Sequence, residues 1–243
     1  MPWTHEGKYV TRSSLMDLNI PELDIEDFEP KLDAVKDEIT DDASGAMVYG
    51  LIGTGQGGGR IAGKDQERGR LAVEGKSQEI FNKLREIFGE KIDRILVCAG
   101  TAGGTGGGSV TTLVNIAKKY FTYVGKEDAQ NRVGVIASLP TDGECASPTV
   151  AKNAYTRVSD LCNRAEKGEF APLILVDNQK IKKLYPSLTV KKFWPTLNNT
   201  IAGLFHVFNA IATQNSNYTT FDPADYDSIM KAKGCMIMGV TSV

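Results

Sequence analysis

The chain lacks what several classes of protein require. None of its apolar stretches is long enough to cross a bilayer, so no membrane span is expected. It has no excess charge of one sign: 28 Lys and Arg stand against 30 Asp and Glu, a formal net charge of -2, which removes the electrostatic footprint of a nucleic-acid binder. Its four cysteines, Cys98, Cys145, Cys162 and Cys235, show no CxxC spacing, which argues against a zinc or redox motif. They read as free, buried thiols of a reducing cytoplasm. The opening "MPWTHEGKYVTRSS" lacks the apolar core of a signal peptide, and a cytoplasmic location is the expectation. No internal repeat or low-complexity tract is evident.

What remains is a chain of 243 residues, 41% hydrophobic, with enough length for a sizeable core in one large domain or two modest ones. Phe28, Leu32, Val35 and Ile39 have helical spacing, with Asp27, Asp33, Glu38 and Asp41 on the solvated side, so 1-45 reads as an extension carrying a helix. Beyond it, apolar runs alternate with helical patterns. "AMVYGLIG", "RILVCAG", "RVGVIASLP", "APLILVD" and "CMIMGVTSV" are continuous apolar strands, as expected of a parallel sheet covered on both faces. "DQERGRLAVEGKSQEIFNKLREIFGEK" reads as one long helix, with Leu71, Ile80, Leu84 and Ile87 on its apolar side. Other helices are expected from Ser109 to about Tyr120, behind Ser147 as N-cap and Pro148 at the first position, at "NQKIKKLYP", and from about Pro195 to Gln214. In the last of these Leu197, Ile201, Leu204, Phe208 and Ile211 form a core stripe, and His206 reads as a partly buried, satisfied histidine. The fold class is α/β: an open, mostly parallel Rossmann-like sheet with helices on both faces and ligands outside the carboxyl ends of its strands.

Glycine is concentrated at just those ends, in "GLIGTGQGGGRIAG" (50–63) and "CAGTAGGTGGGSV" (98–110). Such a run is entropically costly, and it lets backbone N–H groups converge on an anion at a helix N-terminus. Tight turns alone are the competing reading. Gly53, Gly55 and Gly58 satisfy GxGxxG, but the acidic companion of a dinucleotide fold is missing: its spacing lands near Glu74 and Lys76, inside a helix. The second run is no Walker loop, because no Lys follows the glycines. Asp222 with Pro223 reads as a helix N-cap, and Asn178 has the same option at "NQKIKKLYP". Asn198 and Asn199 are poor helix formers inside a helix, which points to a polar task for one of them.

"AGTAGGTGGGS" resembles the signature loop of the tubulin/FtsZ superfamily of GTPases, and "GTGQGGGRI" resembles its first phosphate loop. "GKDQERGR", "LPTDGE", "LVDNQKI", "LNNTIAGLFHVF" and "TTFDPADYDSIM" are similar, in order, to its third loop, ribose loop, guanine-reading segment, central helix and synergy loop. The wording looks closest to the TubZ branch, over roughly residues 46–243. The resemblance implies a GTP-binding domain over 46-220 with its central helix at about 195-214, then a synergy loop and the start of a C-terminal domain over 221-243, most of that domain being missing. It assigns GTP or GDP to Gly55, Gln56, Gly57, Gly58, Ala102, Gly103, Gly104, Thr105, Gly106, Gly107, Glu144, Asn178 and Asn198. It places Gln56 by a magnesium ion, Mg2+, and makes Asp222 and Asp225 catalytic for the neighbouring subunit. Partners implied are further copies of the chain in a longitudinal filament, and an adaptor or cargo-linking protein. Three features depart from the family. Gly63 leads almost at once into the third-loop match, so a chain break between Ala62 and Asp65 is expected; Pro148 replaces an arginine; Thr220 replaces the first asparagine of the synergy loop. Two other functions stay open, an NAD-binding Rossmann oxidoreductase and a non-hydrolysing nucleotide-binding filament scaffold.

Overall fold

A computed structural model describes residues 45–55, 64–184, 190–213 and 221–237, all within one compact unit, Asp41–Val243. The expected helix over Phe28–Ile39 and the expected break after Ala62 lie outside the described residues, as do Gln56, Gly57, Gly58 and Thr220.

Among the described residues the apolar runs become five parallel strands in sequential order: β1 (Tyr49–Thr54), β2 (Arg94–Gly100), β3 (Val133–Leu139), β4 (Leu173–Asp177) and β5 (Cys235–Met236). Between them lie α1 (Gln66–Glu74), α2 (Ser77–Phe88), α3 (Gly104–Tyr123), α4 (Asp142–Cys145), α5 (Pro148–Glu166), α6 (Asn178–Leu184), α7 (Val190–Ile211) and α8 (Pro223–Met230). Register puts Ile52, Val97, Val135 and Leu173 side by side on one face of the sheet. That row is the floor of the main core, capped by Leu84 of α2, Val110, Leu113, Tyr120 and Phe121 of α3, and Leu161 of α5. Side chains alternate along a strand, so Tyr49 and Met236 face the other way. There they meet Phe205 and Phe208 of α7 and Tyr226 and Met230 of α8. Helices therefore lie on both faces, as the continuous apolar runs require.

The structure corrects several local expectations. The long helix is two, because Gly75 and Lys76 interrupt it and the Ser77 hydroxyl donates back to the Val73 and Glu74 carbonyls. The break shifts the helical phase, so Leu71 and Ile87 are exposed while Ile80 and Leu84 face the core. The helix expected from Pro195 starts at Val190, leaving Pro195 in its second turn, where the missing N–H forfeits one helical bond. Its core stripe is rotated as well: Phe205 joins Phe208 against the sheet, Ile211 is half exposed and His206 is exposed. β1 is an edge strand among the described residues, with Leu51 exposed, so it is not buried throughout.

Candidate nucleotide site

The two glycine runs meet at the carboxyl rim of the sheet. Gly55 takes φ +139°, a backbone that side chains rarely allow. The hydroxyls of Thr54 and Ser109, one from each run, are hydrogen-bonded at 2.8 Å. α3 opens straight from the second run with Gly103 as its N-cap, which has no side chain to bond the free N–H groups of the first turn, and no acid stands in that turn. The positive end of a 20-residue helix is thus left uncompensated at the protein's own expense. Beside it the Thr105 hydroxyl is buried without a hydrogen-bond partner.

Much of the glycine has a second cause, which the sequence did not disclose. A Cβ on Gly106 would meet the Gly100 and Thr54 carbonyls at 3.0 and 3.2 Å; on Gly107, the Thr101 carbonyl at 2.7 Å; on Gly108, the Gln66 carbonyl at 2.0 Å. Gly69 of α1 answers from the other side, its Cβ position lying 2.3 Å from the Gly104 carbonyl. α1 and α3 therefore cross backbone to backbone, and the run is as much a helix-packing device as an anion cradle. Gly103 alone of the signature glycines Gly103, Gly106 and Gly107 has open space at its Cβ.

The loop is held from behind. Gln66 Nε2 donates to the Thr101 and Gly103 carbonyls at 2.9 and 3.3 Å, and Asn153 Nδ2 donates to the Lys64 and Ala102 carbonyls at 2.7 and 3.4 Å. Arg157 reaches Gln66 Oε1 at 3.4 Å and pairs with Asp160 at 2.9 Å. Burial pushes its guanidinium below the ordinary value, against the attraction of Asp160. With its carbonyls so engaged, the loop is fixed in place. Gln66 stood within the quoted third-loop match without a role; nothing in the sequence joins Asn153 or Arg157 to the loop.

The next two strand ends carry Glu144 and Asn178. Glu144 closes a capping box on α4: Thr141 N and Oγ1 both donate to Oε2, at 2.8 and 2.9 Å, and Glu144 N donates to Thr141 Oγ1 at 3.3 Å. The spacing Thr-x-x-Glu carries that signal in the sequence. Asn178 is not the cap of α6. Asp177 is, accepting from Gln179 and Lys180 N–H at 2.9 and 3.1 Å. This frees Asn178, which is only 4% exposed and whose Oδ1 is buried with no partner. Gln179 accepts from Asp142 N at 3.0 Å, tying the two loops together. Asn198 and Asn199 are exposed on α7. Glu74, at the spacing of a ribose acid, ends α1 in an ion pair with Arg70.

Asp222 and Asp225 lie elsewhere. They begin α8, whose Tyr226 hydroxyl is 2.8 Å from that of Tyr49 and whose Asp227 pairs with the buried Arg94 at 2.5 Å. Tyr49 and Arg94 open β1 and β2, so α8 sits at the amino rim, about 20 Å of strand from the glycine loops. Both acids are exposed and form a capping box: Asp222 Oδ1 accepts from Ala224 and Asp225 N–H, and Asp225 accepts from Asp222 N.

The chain is similar to known proteins in sequence and in fold. Over 194 residues the chain is 28% identical to cell division protein FtsZ 2 of Methanocaldococcus jannaschii, a match spanning 79% of this chain and 45% of that protein. In sequence the chain is thus similar to proteins of the tubulin/FtsZ superfamily. Its fold is similar to that of Bacillus thuringiensis TubZ in a GTPγS-form protofilament (TM-score 0.63, 16% identity, 81% of this chain and 65% of that one). It is also similar to that of Haloferax volcanii CetZ2 in a GTPγS-bound protofilament (TM-score 0.59, 19% identity, 78% and 64%). TubZ thus stands among the structural neighbours of this chain, beside FtsZ and CetZ proteins. No family model matches the chain. The chain spans less than half the length of the FtsZ proteins it matches.

Proposed function

We propose that this protein binds guanine nucleotide at the carboxyl rim and hydrolyses GTP when a second copy places its amino rim there, in a head-to-tail filament. The observation that carries this reading is the opposition of the two rims: an uncompensated helix N-terminus with an orphaned Thr105 hydroxyl at one, and a pair of exposed carboxylates at the other. Gly55 and Ala102 to Gly107 would hold the phosphates, with Gln56, Gly57 and Gly58 completing the first loop. Asn178 Oδ1 is a buried acceptor suited to a base N–H, and Glu144 and Asn198 are the groups assigned to ribose and base. In this reading 46-220 is the nucleotide domain, 221-243 holds the acidic loop and opens a C-terminal domain, and the chain works in the cytoplasm; an adaptor would attach through the filament.

Phosphoryl transfer depends on positioning and charge stabilisation. Magnesium binds largely through the substrate's own phosphates, with Gln56 the protein group assigned beside it, and it would offset charge on the β and γ phosphates. Among the described residues no cluster of His, Cys, Asp or Glu forms a dedicated metal site. Asp222 and Asp225 would orient and polarise the attacking water of the neighbouring copy's nucleotide. One observation favours a non-hydrolysing scaffold instead: the capping box already occupies both carboxylates. Calorimetry with GTP, ATP and NAD tests the ligand, and tight ATP or NAD binding without GTP would refute the assignment. Asp225→Ala tests the chemistry. GTP binding should survive while turnover falls about 10²- to 10³-fold, a few kcal/mol of transition-state stabilisation; unchanged turnover would leave the acids as caps only.

A further inference from the structure

Two of the four thiols, 73 residues apart in sequence, are brought together by the fold. Cys162 lies near the end of α5, half-buried against the main core, and Cys235 opens β5 and is exposed. Their sulfurs are 3.1 Å apart. Backbone contacts hold them there. Gly234 N–H donates to the Ala165 carbonyl at 3.3 Å, and Ala165 follows Cys162 by three residues, on the same face of the helix. β5 is fixed in turn by its pairing with β4, Leu173 opposite Cys235. Neither thiol touches the nucleotide rim or the acids of α8, so the proposed hydrolysis leaves both unemployed.

We propose that Cys162 and Cys235 form a reversible dithiol site whose substrate class is a hydroperoxide. The Cys162 thiolate attacks one peroxide oxygen; the O–O bond breaks, the other oxygen leaves as water or alcohol after protonation, and Cys162 becomes a sulfenic acid. The Cys235 sulfur then attacks the Cys162 sulfur, the S–O bond breaks, and hydroxide leaves as water with the proton that Cys235 gives up. The two thiols lose two electrons and the peroxide gains them. With Cys235 as donor of the hydrogen bond that the two sulfurs share, Cys162 is the attacking group: that bond lowers its pKa, while the same bond and burial push the Cys235 thiol up. The accepting sulfur is the more easily ionised of the two, and the thiolate is the nucleophile. Cys98, by contrast, is pushed up by burial. The disulfide would close a loop containing β4, α6, α7 and α8, pinning the strand after the acid-bearing helix to α5.

The test is oxidation of the whole chain by hydrogen peroxide, followed by non-reducing tryptic mapping. Cleavage after Arg157, Arg164 and Lys233 puts the cysteines in peptide 158–164 and in the peptide that begins at Gly234. The expected product is the Cys162 and Cys235 peptides joined, two hydrogens lighter than their sum, and separated again by dithiothreitol. The oxidised chain should melt about 5 °C or more higher, given the long loop closed. In Cys235→Ser, a near-isosteric change at an exposed position, oxidation should stop at a Cys162 sulfenic acid that dimedone captures. Predominant links to Cys98 or Cys145 would overturn the proposal, as would Cys162 passing to sulfinic acid while Cys235 stays a thiol.

Discussion

At the scale of single residues, the glycines separate into those that packing requires and those that it does not. Gly108 has backbone atoms of Gln66 and Arg70 between 2.0 and 3.0 Å from its Cβ position, whereas Gly53 has nothing within 4 Å. Gly108→Ala should therefore cost about 3 kcal/mol in urea unfolding, and Gly53→Ala should stay within about 0.5 kcal/mol. Equal effects would mean that α1 and α3 do not cross as described. Arg94 and Asp227 make a second residue-scale case. Burial opposes the charge on Asp227, but the Lys231 ammonium and the Arg94 guanidinium overcome it and hold its carboxyl below the usual range. A carboxylate with a depressed pKa contributes stability above its unfolded value, about 3.9, and loses it as pH falls through the folded value. Asp227→Asn should thus cost about 2 kcal/mol at pH 7, discounted for the partial exposure of Asp227. The gap between wild type and variant should narrow below about pH 4, and a gap independent of pH would refute the ion pair as its source.

At the scale of elements, the glycine loop depends on the helices packed behind it, α1 and α5. Gln66, in the first turn of α1, is the link: its amide holds two loop carbonyls and its oxygen accepts from Arg157 of α5. Gln66→Ala should weaken GTP binding about tenfold by calorimetry, as two carbonyls lose their donor and the loop loosens. Gln66→Glu keeps the shape but supplies acceptors where donors are needed, so it should do no better. If either variant bound GTP normally, the loop would owe its position to the glycines alone. Capping obeys the same logic at two helix starts. Asp177 takes the N-cap of α6 and so releases Asn178, while Glu144 is drawn into the cap of α4.

At the scale of the whole molecule, the glycine loops and the acids of α8 stand at opposite rims of the sheet, so under the proposed function one copy cannot bring both to the same nucleotide. The strands between them hold the acids of α8 at a fixed remove, anchored by Tyr49, Tyr226, Arg94 and Asp227. Turnover should accordingly rise more steeply than linearly with subunit concentration. Mixing should also rescue activity: Asp225→Ala retains an intact nucleotide rim, and Gly106→Val, whose side chain would crowd the Gly100 and Thr54 carbonyls, retains intact acids. Each variant alone should be nearly inactive and the mixture should hydrolyse GTP. A mixture no better than its parts would refute the shared site.

The sequence by itself determined the sheet and the location of the rim. Continuous apolar runs such as Ile95–Val97 and Leu173–Val176 have no polar face to show solvent, so a sheet covered on both sides is their only stable use. Glycine at the ends of two of those runs marked the ligand edge, and "FDPAD" marked the start of α8, because both signals are local. Tertiary structure alone decided the rest. The reach of Arg157 to Gln66, the placing of α8 by Tyr49 and Arg94, and the 3.1 Å meeting of Cys162 with Cys235 join residues 73 to 177 positions apart. No periodicity encodes such a meeting; it arises from how the crossovers between parallel strands stack helices on the sheet. The crossing of α1 on α3 belongs there too: it gives Gly107 and Gly108 a steric cause that their sequence presents only as a phosphate loop.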